Sequence, residues 1–532
     1  MLGLLCGAGL PLLAPFVELC AFPQAWAVFY EADRMAELAG TTALLLAGTV
    51  AVAVPLGTLL GLLLFRTDLP GARVARFLLL TTLFLPLPLV ASGWQMAGHL
   101  LPRAGLLESG WAARMLQGIS LHALLTLPWV MLLTGLGFLW VEPELEEDAL
   151  LAAPPWRVFW KVTLPRNRAA LGLAALYVTL FCWGEITLTD LLRLRTYGEE
   201  VYTQLVAGND TEVARAVAVS LPPLLLLLPL TLGVLSRWRR TCPPRLHVLR
   251  PARVFLLGRG RWLALVMVWG LVVLVLGVPL LGLLWRAGLR YATVTQPGPP
   301  VWMAGLVLER FVDQWRVQAK LLGESLLLAG ATGVAAAGIA VLLTWLMRHQ
   351  VRWERGVWGL AAVLWAMPGP LLGLALLTFL QWLFLLPGGD WLKPLFWSRP
   401  SPLPNVWVCL LRFGPIALAV LWPLARQVPR ELEEAAALDG AHPWQRFRLV
   451  VLPALWQPAL WAALVVATLT LGEISASKLV TTPGYTPLAH HVFQQMHAGA
   501  DTDLAALCLV LLSVVVVGGM AVAVWRPWRR SS

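Results

Sequence analysis

Residues 431–453 read ELEEAAALDGAHPWQRFRLVVLP, and this stretch decides the fold because it occurs again, in altered form, earlier in the chain. Residues 144–165 read ELEEDALLAAPPWRVFWKVTLP. In both copies, eighteen residues separate the closing Leu-Pro from a Gly-Glu-Ile triplet, which begins at Gly184 in the first copy and at Gly472 in the second. Two polar stretches with the same downstream spacing indicate an internal repeat.

The rest of the chain is far more apolar than a soluble domain. Of its 532 residues, 59% are hydrophobic and 13% are charged, and the mean hydropathy is +0.74. A soluble domain has roughly 45–50% apolar and about 25% charged residues. The composition therefore excludes disorder, a coiled coil and an ordinary soluble enzyme. It predicts an all-α protein with many membrane spans, because one spanning helix needs about 20 apolar residues.

Apolar runs with few charges predict twelve membrane spans. The first run lacks a basic flank and contains Glu18, so a cleaved signal peptide is the alternative there. Retaining it gives each copy of the repeat six spans. The twelve runs lie at residues 3–22, 41–65, 77–100, 118–141, 169–192, 214–236, 262–285, 321–347, 357–386, 405–425, 457–480 and 504–525.

An even number of spans in each copy predicts two parallel six-helix repeats, related by a pseudo-two-fold axis along the membrane normal. The first six-span unit would comprise residues 1–236 and the second residues 262–532. The basic segment 237–261 between them would be a cytoplasmic linker. The interface between the two repeats is then the natural place for a pathway across the membrane.

The basic residues are concentrated in alternate loops. With the N-terminus inside, 25 of the 40 Lys and Arg residues fall in cytoplasmic segments and 12 in external ones. This bias predicts that both termini are cytoplasmic. It also explains the net charge of +11 without a nucleic-acid partner.

Both polar stretches would then lie on the cytoplasmic side, between the fourth and fifth spans of each unit. In the second stretch, Gly440 can end a short helix that begins near the acidic Glu431, and Pro443 can start another. This pattern predicts a helix–turn–helix on the membrane surface. The alternative is a solvated connecting loop.

At these residues the chain resembles the permease subunits of type I ATP-binding-cassette importers. Their signature is Glu-Ala-Ala, three residues, Gly, nine residues, Ile, one residue and Leu-Pro, and Val450 stands here in place of the Ile. The resemblance implies that the loop is a coupling helix docking into a groove of a cytoplasmic ATPase. The signature residues present are Glu434, Ala435, Ala436, Gly440, Leu452 and Pro453.

The first copy departs from the signature. It reads Glu147-Asp148-Ala149, lacks the glycine and is one residue shorter. The two ATPase contacts are therefore not expected to be equivalent. The predicted coupling residues are Glu144, Glu147, Leu164 and Pro165 in the first copy, and Glu431, Glu434, Ala435, Ala436, Gly440, Leu452 and Pro453 in the second.

No ATPase is expected in this chain, because a Walker A loop needs Gly-Lys and the sequence has no Gly-Lys pair. ATP would be hydrolysed by a separate cytoplasmic ATPase, expected to be a homodimer. The chain itself is predicted to be no enzyme and to bind no cofactor. The resemblance also implies an extracytoplasmic solute-binding protein.

Two glutamates, Glu185 and Glu473, fall inside predicted spans, where charge is costly and indicates function by default. Each lies seventeen residues into its predicted helix, roughly 26 Å from the cytoplasmic end. With Gly184 and Gly472 they are predicted to line the translocation pathway. The alternative is a packing carboxylate, paired with Lys478 or hydrogen-bonded to Ser or Thr.

The fused two-unit form looks like the ferric-iron, thiamine and phosphonate importers, and residues 472–493 look most like the ferric-iron branch. Ferric iron is thus the first expectation for the cargo. His490, His491 and His497 lack a matching carboxylate cluster, so no metal site is predicted. An ion-driven secondary transporter and a membrane-embedded enzyme are the competing classes.

Overall fold

The computed structural model describes residues 5–83, 87, 90–91, 93–94, 110–207, 210–241, 254–291, 299–498 and 501–524. These residues are predominantly helical, which confirms the predicted all-α membrane fold. A short antiparallel pair of strands, Leu289–Arg290 and Val301–Trp302, is placed with Leu289 opposite Trp302.

The helices before the linker include short π and 3-10 segments between the long apolar ones. In chain order they are Leu5–Gly9, Leu10–Ala21, Pro23–Tyr30, Ala32–Arg66, Ala72–Thr82, Trp111–Leu139, Pro143–Ala152, Pro155–Val158, Phe159–Thr163, Leu164–Arg166, Arg168–Gly184, Thr187–Leu191, Tyr197–Ala207 and Asp210–Thr241.

The helices of the second repeat follow a similar order. They are Gly258–Gly260, Arg261–Val272, Val273–Gly277, Val278–Gly288, Ala304–Val317, Ala319–His349, Val351–Ala366, Gly369–Leu385, Gly389–Trp391, Lys393–Phe396, Leu403–Gln427, Arg430–Leu438, Pro443–Arg446, Phe447–Val451, Leu452–Leu471, Ser477–Val480, Leu488–Ala498 and Asp501–Val524.

Within the described residues, seven helices are long and apolar enough to cross a membrane, or up to nine if each of two bent pairs is one span. Two shorter apolar helices, Arg168–Gly184 and Thr502–Val514, add to these. Together they match eleven of the twelve predicted spans. The remaining one, predicted at residues 77–100, lies mostly outside the described residues.

The span predicted at 357–386 is not one straight helix. It breaks between Ala366 and Gly369, where the chain bends by 111° from one helix to the next. Pro368 lacks a backbone N–H and disfavours the helical conformation of the residue before it, and Met367 is accordingly extended, with φ −73° and ψ 132°. The break brings the backbone of Gly369 to the polar site described below.

The chain forms two compact units. The larger unit contains residues 1–68, 114–256 and 326–485, and the smaller contains 69–113, 257–325 and 486–532. The larger unit therefore combines helices of both sequence repeats. The repeat boundaries at 1–236, 237–261 and 262–532 remain a prediction.

The first apolar helix is part of the larger unit. Helix Leu10–Ala21 packs against Gly369–Leu385 of the second repeat, and Leu12 and Leu19 are buried in the shared core. The indole nitrogen of Trp407 donates a hydrogen bond of 2.8 Å to the carbonyl of Gly7. This segment thus packs mainly with the repeat to which it does not belong in sequence.

Candidate functional site

The second polar stretch folds as the predicted helix–turn–helix. A nine-residue helix, Arg430–Leu438, precedes the turn, and a helix begins again at Pro443. Gly440 has a φ of +83°, a conformation that costs a residue with a Cβ about 1–2 kcal/mol. The Ala441 N–H donates to the Ala436 carbonyl at 2.9 Å, which closes the end of the helix.

The first polar stretch builds the same shape without a glycine. Helix Pro143–Ala152 ends at Ala153, which is extended with φ −149° and ψ 151°. Pro154 is also extended and leads directly into helix Pro155–Val158. Because neither residue needs a positive φ, the turn forms with Ala-Pro-Pro and tolerates the missing glycine. We call the stretches 144–165 and 431–453 the first and second coupling loops.

A buried ion pair anchors the second coupling loop. The guanidinium of Arg348, near the end of helix Ala319–His349, lies 2.9 Å from a carboxylate oxygen of Glu433. The other carboxylate oxygen accepts a hydrogen bond of 3.3 Å from the Trp345 indole. Both charged side chains are almost fully buried, so each depends on the other for its charge.

The first coupling loop has an equivalent anchor. Arg66, the last residue of helix Ala32–Arg66, pairs with Glu146 and also donates to the carbonyl of Phe138. The Thr163 hydroxyl donates to the second carboxylate oxygen of Glu146 at 2.7 Å. Both charged side chains of this pair are completely buried. The two loops are therefore fastened to the end of a long helix in the same way.

These four anchor residues were missed by the sequence reasoning. It singled out Glu147 and Glu434, both of which are exposed, whereas the buried carboxylates are Glu146 and Glu433, one position earlier. The sequence feature that pointed to these positions was the Glu-Glu pair that occurs in both loops. The arginine partners are 80 or more residues away, so loop sequence alone does not reveal them.

The other predicted coupling residues lie mostly on the surface. Leu164 and Ala436 are half-buried, and the remaining ones are exposed: Glu144, Glu147, Pro165, Glu431, Glu434, Ala435, Gly440, Leu452 and Pro453.

Each coupling loop presents apolar side chains at matched positions. Leu151 and Leu438 lie at equivalent positions in the last turn of the two loop helices and are 89% and 90% exposed. Trp156 and Trp444, each the second residue of the following helix, are 62% and 55% exposed. The two loops thus expose apolar side chains at the same positions. We call these four residues the docking surface.

Phe255, in the predicted linker, contacts the arginine that anchors the first coupling loop. The Phe255 N–H donates to the Arg66 carbonyl at 2.7 Å, and the Arg66 guanidinium lies 5.5 Å from the centre of the Phe255 ring. In the second repeat the corresponding carbonyl, of Arg348, accepts instead from the Arg430 side chain at 2.7 Å. Each anchor thus contains a buried ion pair, but a different residue supports the arginine in each repeat.

The Gly-Glu-Ile triplets end helices rather than continue them. Helix Arg168–Gly184 stops before Glu185, which is extended, and helix Leu452–Leu471 stops before Gly472. The spans predicted at 169–192 and 457–480 are therefore present, but their helices end earlier than predicted, at Gly184 and Leu471. The reason lies in the glutamate side chains, which bond to backbone N–H groups at the start of the next short segment and so replace helical bonds.

The two glutamates make parallel contacts. The Glu185 carboxylate accepts from the backbone N–H groups of Thr187 and Leu188, the latter at 3.0 Å. The Glu473 carboxylate accepts from the Ala476 N–H at 2.7 Å and from the Ser475 hydroxyl at 3.0 Å. Both residues are buried.

Each glutamate also faces a basic side chain of an earlier span. His122 Nε2 lies 3.4 Å from the Glu185 carboxylate, and Arg412 Nε lies 3.0 Å from that of Glu473. His122 Nδ1 is 2.7 Å from the Gly118 carbonyl, which can only accept, so that nitrogen carries a proton. The first repeat thus pairs its glutamate with a histidine and the second with an arginine.

Arg412 lies where the two repeats meet within the larger unit. A Cβ at Gly369 would overlap its guanidinium, and one at Gly184 of the first repeat would lie 3.5 Å from it and 3.9 Å from the Gly369 nitrogen. The Lys478 ammonium, predicted as a possible partner of Glu473, contacts the Tyr202 hydroxyl across the same interface. We call this region the polar inter-repeat site.

Of the four predicted pathway residues, Gly184 and Glu473 lie at this site, whereas the Glu185 carboxylate contacts His122 and backbone groups of its own repeat. Gly472 is half-buried and terminates helix Leu452–Leu471. Within the described residues, no group of three or more His, Cys, Asp or Glu side chains could hold a metal ion.

The described residues thus form a predominantly helical, multi-pass membrane protein with paired surface loops and a buried polar interface between repeats. Residues 329–529 match the family of the binding-protein-dependent transport system inner membrane component. This match covers the second coupling loop and the Glu473 triplet. Over this segment the chain is similar to the inner-membrane permeases of ATP-binding-cassette transporters.

Three curated relatives illustrate the similarity. The putrescine transport permease PotI of Escherichia coli K12 is 27% identical over 201 residues, which are 37% of this chain and 68% of PotI. The putative 2-aminoethylphosphonate permease PhnV of Salmonella typhimurium LT2 is 31% identical over 154 residues, 24% of this chain and 57% of PhnV. The inner membrane ABC transporter permease YcjO of Escherichia coli K12 is 29% identical over 125 residues, 23% of this chain and 42% of YcjO.

Proposed function

We propose that this chain forms the whole transmembrane pathway of an ATP-driven importer, and that its two coupling loops receive the movement of a cytoplasmic ATPase dimer. The observation that carries the proposal is the docking surface, with Leu151 and Leu438 almost fully exposed at equivalent positions. The same surface contains Trp156 and Trp444, and tryptophan is enriched among the residues that dominate binding at protein interfaces. Two such loops suit a partner with two equivalent halves.

The buried anchors supply a route for that movement. Glu146 and Glu433 join the coupling loops to Arg66 and Arg348, which lie at the ends of long helices. A push on either loop is therefore applied to a spanning helix rather than absorbed by a flexible connection. In this mechanism the two repeats rock against each other around the polar inter-repeat site, opening it to one side and then the other.

An extracytoplasmic binding protein would deliver the solute to this permease. Ferric iron is the first proposed cargo, supported by the resemblance of residues 472–493 to the ferric-iron branch. An organic anion related to 2-aminoethylphosphonate is the second, supported by the name of PhnV and by the two cations at the polar inter-repeat site, Arg412 and Lys478. Thiamine is a further candidate from the fused two-unit form.

The role of the docking surface is tested in proteoliposomes that contain the permease, the ATPase encoded beside its gene and the cognate binding protein. Leu438→Ser and Leu151→Ser should each lower transport-stimulated ATP hydrolysis about tenfold, because a buried anchor is worth about 1.4 kcal/mol or more. Leu386→Ser is the matched control, since Leu386 is 58% exposed outside both coupling loops. Full activity in both loop variants would contradict the proposal.

The cargo is tested in the same vesicles by measuring uptake of radiolabelled ferric iron, 2-aminoethylphosphonate, thiamine and putrescine separately. Uptake that needs ATP inside and persists with a protonophore supports the importer. Uptake that collapses with the protonophore and needs no ATPase would instead indicate an ion-driven transporter.

A further inference from the structure

A cavity of about 720 Å³ lies in the larger unit, beside the start of the second coupling helix. It is distinct from the polar inter-repeat site, with which it shares no lining residue. Five arginines contribute to its wall: Arg239, Arg240, Arg348, Arg426 and Arg430.

The five arginines come from four different helices. Two of them lie in the last turn of helix Asp210–Thr241, at the start of the predicted linker, and the other three lie on helices Ala319–His349, Leu403–Gln427 and Arg430–Leu438. The positive-inside rule explains arginines at helix ends, but not their convergence on one cavity. Two carboxylates also line the wall, which leaves a formal charge of +3.

The charges of this wall are only partly neutralised. Arg239 pairs with Glu354 at 3.2 Å, and Arg348 pairs at 2.9 Å with Glu433, which does not line the wall. Arg430 donates to the backbone carbonyl of Arg348 at 2.7 Å, a bond that holds its guanidinium in position without cancelling its charge. Even with Glu433 included, the five arginines face three carboxylates.

The geometry favours an anion with several acceptor oxygens. A guanidinium group has a planar set of N–H donors that matches the oxygens of a phosphate group. Several guanidinium groups around one cavity can therefore donate to the same phosphate from different sides. Arg430 is also the first residue of a nine-residue helix, whose N-terminus carries a partial positive charge. The volume falls in the range of small-molecule sites, about 300–1,000 Å³.

We propose that this cavity binds a phosphate group, supplied either by the headgroup of an anionic phospholipid or by a free phosphate anion. The bound phosphate bridges the end of helix Asp210–Thr241, through Arg240, to the start of helix Arg430–Leu438, through Arg430. Occupancy then braces the second coupling loop against the membrane helices. The site is separate from the polar inter-repeat site.

The test uses the purified full-length chain without its partners. Thermal unfolding is followed in detergent against inorganic phosphate, with chloride at the same ionic strength as reference, and in nanodiscs of phosphatidylglycerol or phosphatidylcholine. Phosphate or phosphatidylglycerol should raise the melting temperature of the wild type. Arg240→Gln and Arg430→Gln should each weaken the apparent affinity about tenfold, because each removes a charge-assisted contact.

Arg259→Gln is the matched control, because Arg259 is exposed close to the linker and does not line the cavity. A response to phosphatidylglycerol alone identifies the lipid headgroup, and a response to phosphate alone identifies the free anion. If Arg430→Gln does not fold, the Arg240→Gln variant alone tests the proposal, because Arg240 is exposed and its substitution should not disturb folding. The proposal is overturned if chloride raises the melting temperature as much as phosphate does and the two lipids give the same melting temperature. It is also overturned if the cavity variants bind phosphate like the wild type, or if Arg259→Gln weakens the apparent affinity as much as they do.

Discussion

At the residue scale, the molecule depends on a few buried charges that are neutralised in pairs. Glu433 with Arg348 and Glu146 with Arg66 fasten the coupling loops. Burying a charge is tolerated only when a partner and further hydrogen bonds accompany it, and here the Trp345 indole and the Thr163 hydroxyl supply them. Removing one partner is therefore more harmful than removing both.

A double-mutant cycle measures this dependence. Glu433→Ala should lower the free energy of unfolding by about 3–5 kcal/mol, because Arg348 is left buried without its counter-charge. The double variant Glu433→Ala/Arg348→Ala should be less destabilised than Glu433→Ala alone. Chemical unfolding in detergent provides the measurement.

The exposed neighbour serves as the control for this cycle, since Glu434→Ala should change the free energy of unfolding by less than about 0.5 kcal/mol. Equal stability of Glu433→Ala and Glu434→Ala would show that the buried pair does not anchor the loop.

At the element scale, breaks in the helices decide where polar groups meet. The helix break before Gly369 and the helix end at Gly184 bring two backbone segments against the Arg412 guanidinium. Glycine is needed at Gly369 because a Cβ would occupy the position of Arg412 and of the Ser475 hydroxyl. A regular helix through Gly369 or Gly184 would leave no room for the Arg412 guanidinium.

Gly369→Ala should displace Arg412 from Glu473 and lower the uptake rate at least tenfold, because overpacking a close contact costs about 1–3 kcal/mol. Uptake and melting temperature are measured together. Gly359→Ala, one helix earlier and with open space around its Cβ position, should leave uptake unchanged and stabilise slightly. Wild-type uptake by Gly369→Ala would refute the tight contact at the polar inter-repeat site.

At the scale of the whole molecule, the two coupling loops are alike in shape but supported differently. The first is covered by Phe255 of the linker, whereas the second is supported by Arg430 of its own helix. In the first repeat, the residue that supports Arg66 lies about 190 positions further along the chain. In the second repeat, the residue that supports Arg348 lies on the helix of the coupling loop itself. Fusion of both repeats into one chain makes that support available.

Phe255→Ala should loosen the first coupling loop only. Amide hydrogen exchange should become faster in helix Pro143–Ala152 and stay unchanged in helix Arg430–Leu438, because only the former loses its cover over Arg66. Leu256→Ala is the control, since Leu256 is 83% exposed and its loss should change neither helix. Faster exchange in both helices, or in neither, would contradict this assignment.

Several features of the candidate site could be predicted from sequence, and others could not. The repeat, the helix–turn–helix at Gly440 and the special position of Glu185 and Glu473 follow from spacing and residue type. The docking surface was also within reach, because aligning the two copies pairs Leu151 with Leu438. The partners Arg66, Arg348, His122 and Arg412 were not, because each lies on another helix whose neighbours are unknown before folding.

The sequence by itself determined an all-α membrane protein with two copies of a polar loop, since apolarity and turn residues act over a few neighbouring positions. Only the tertiary structure decided which glutamates are buried, where the spans break and how the two repeats share the larger unit. The physical reason is that a buried charge is stable only beside its partner, and that partner is set by the packing of distant helices. Glu146 and Glu433, rather than the adjacent Glu147 and Glu434, face inward because Arg66 and Arg348 lie there.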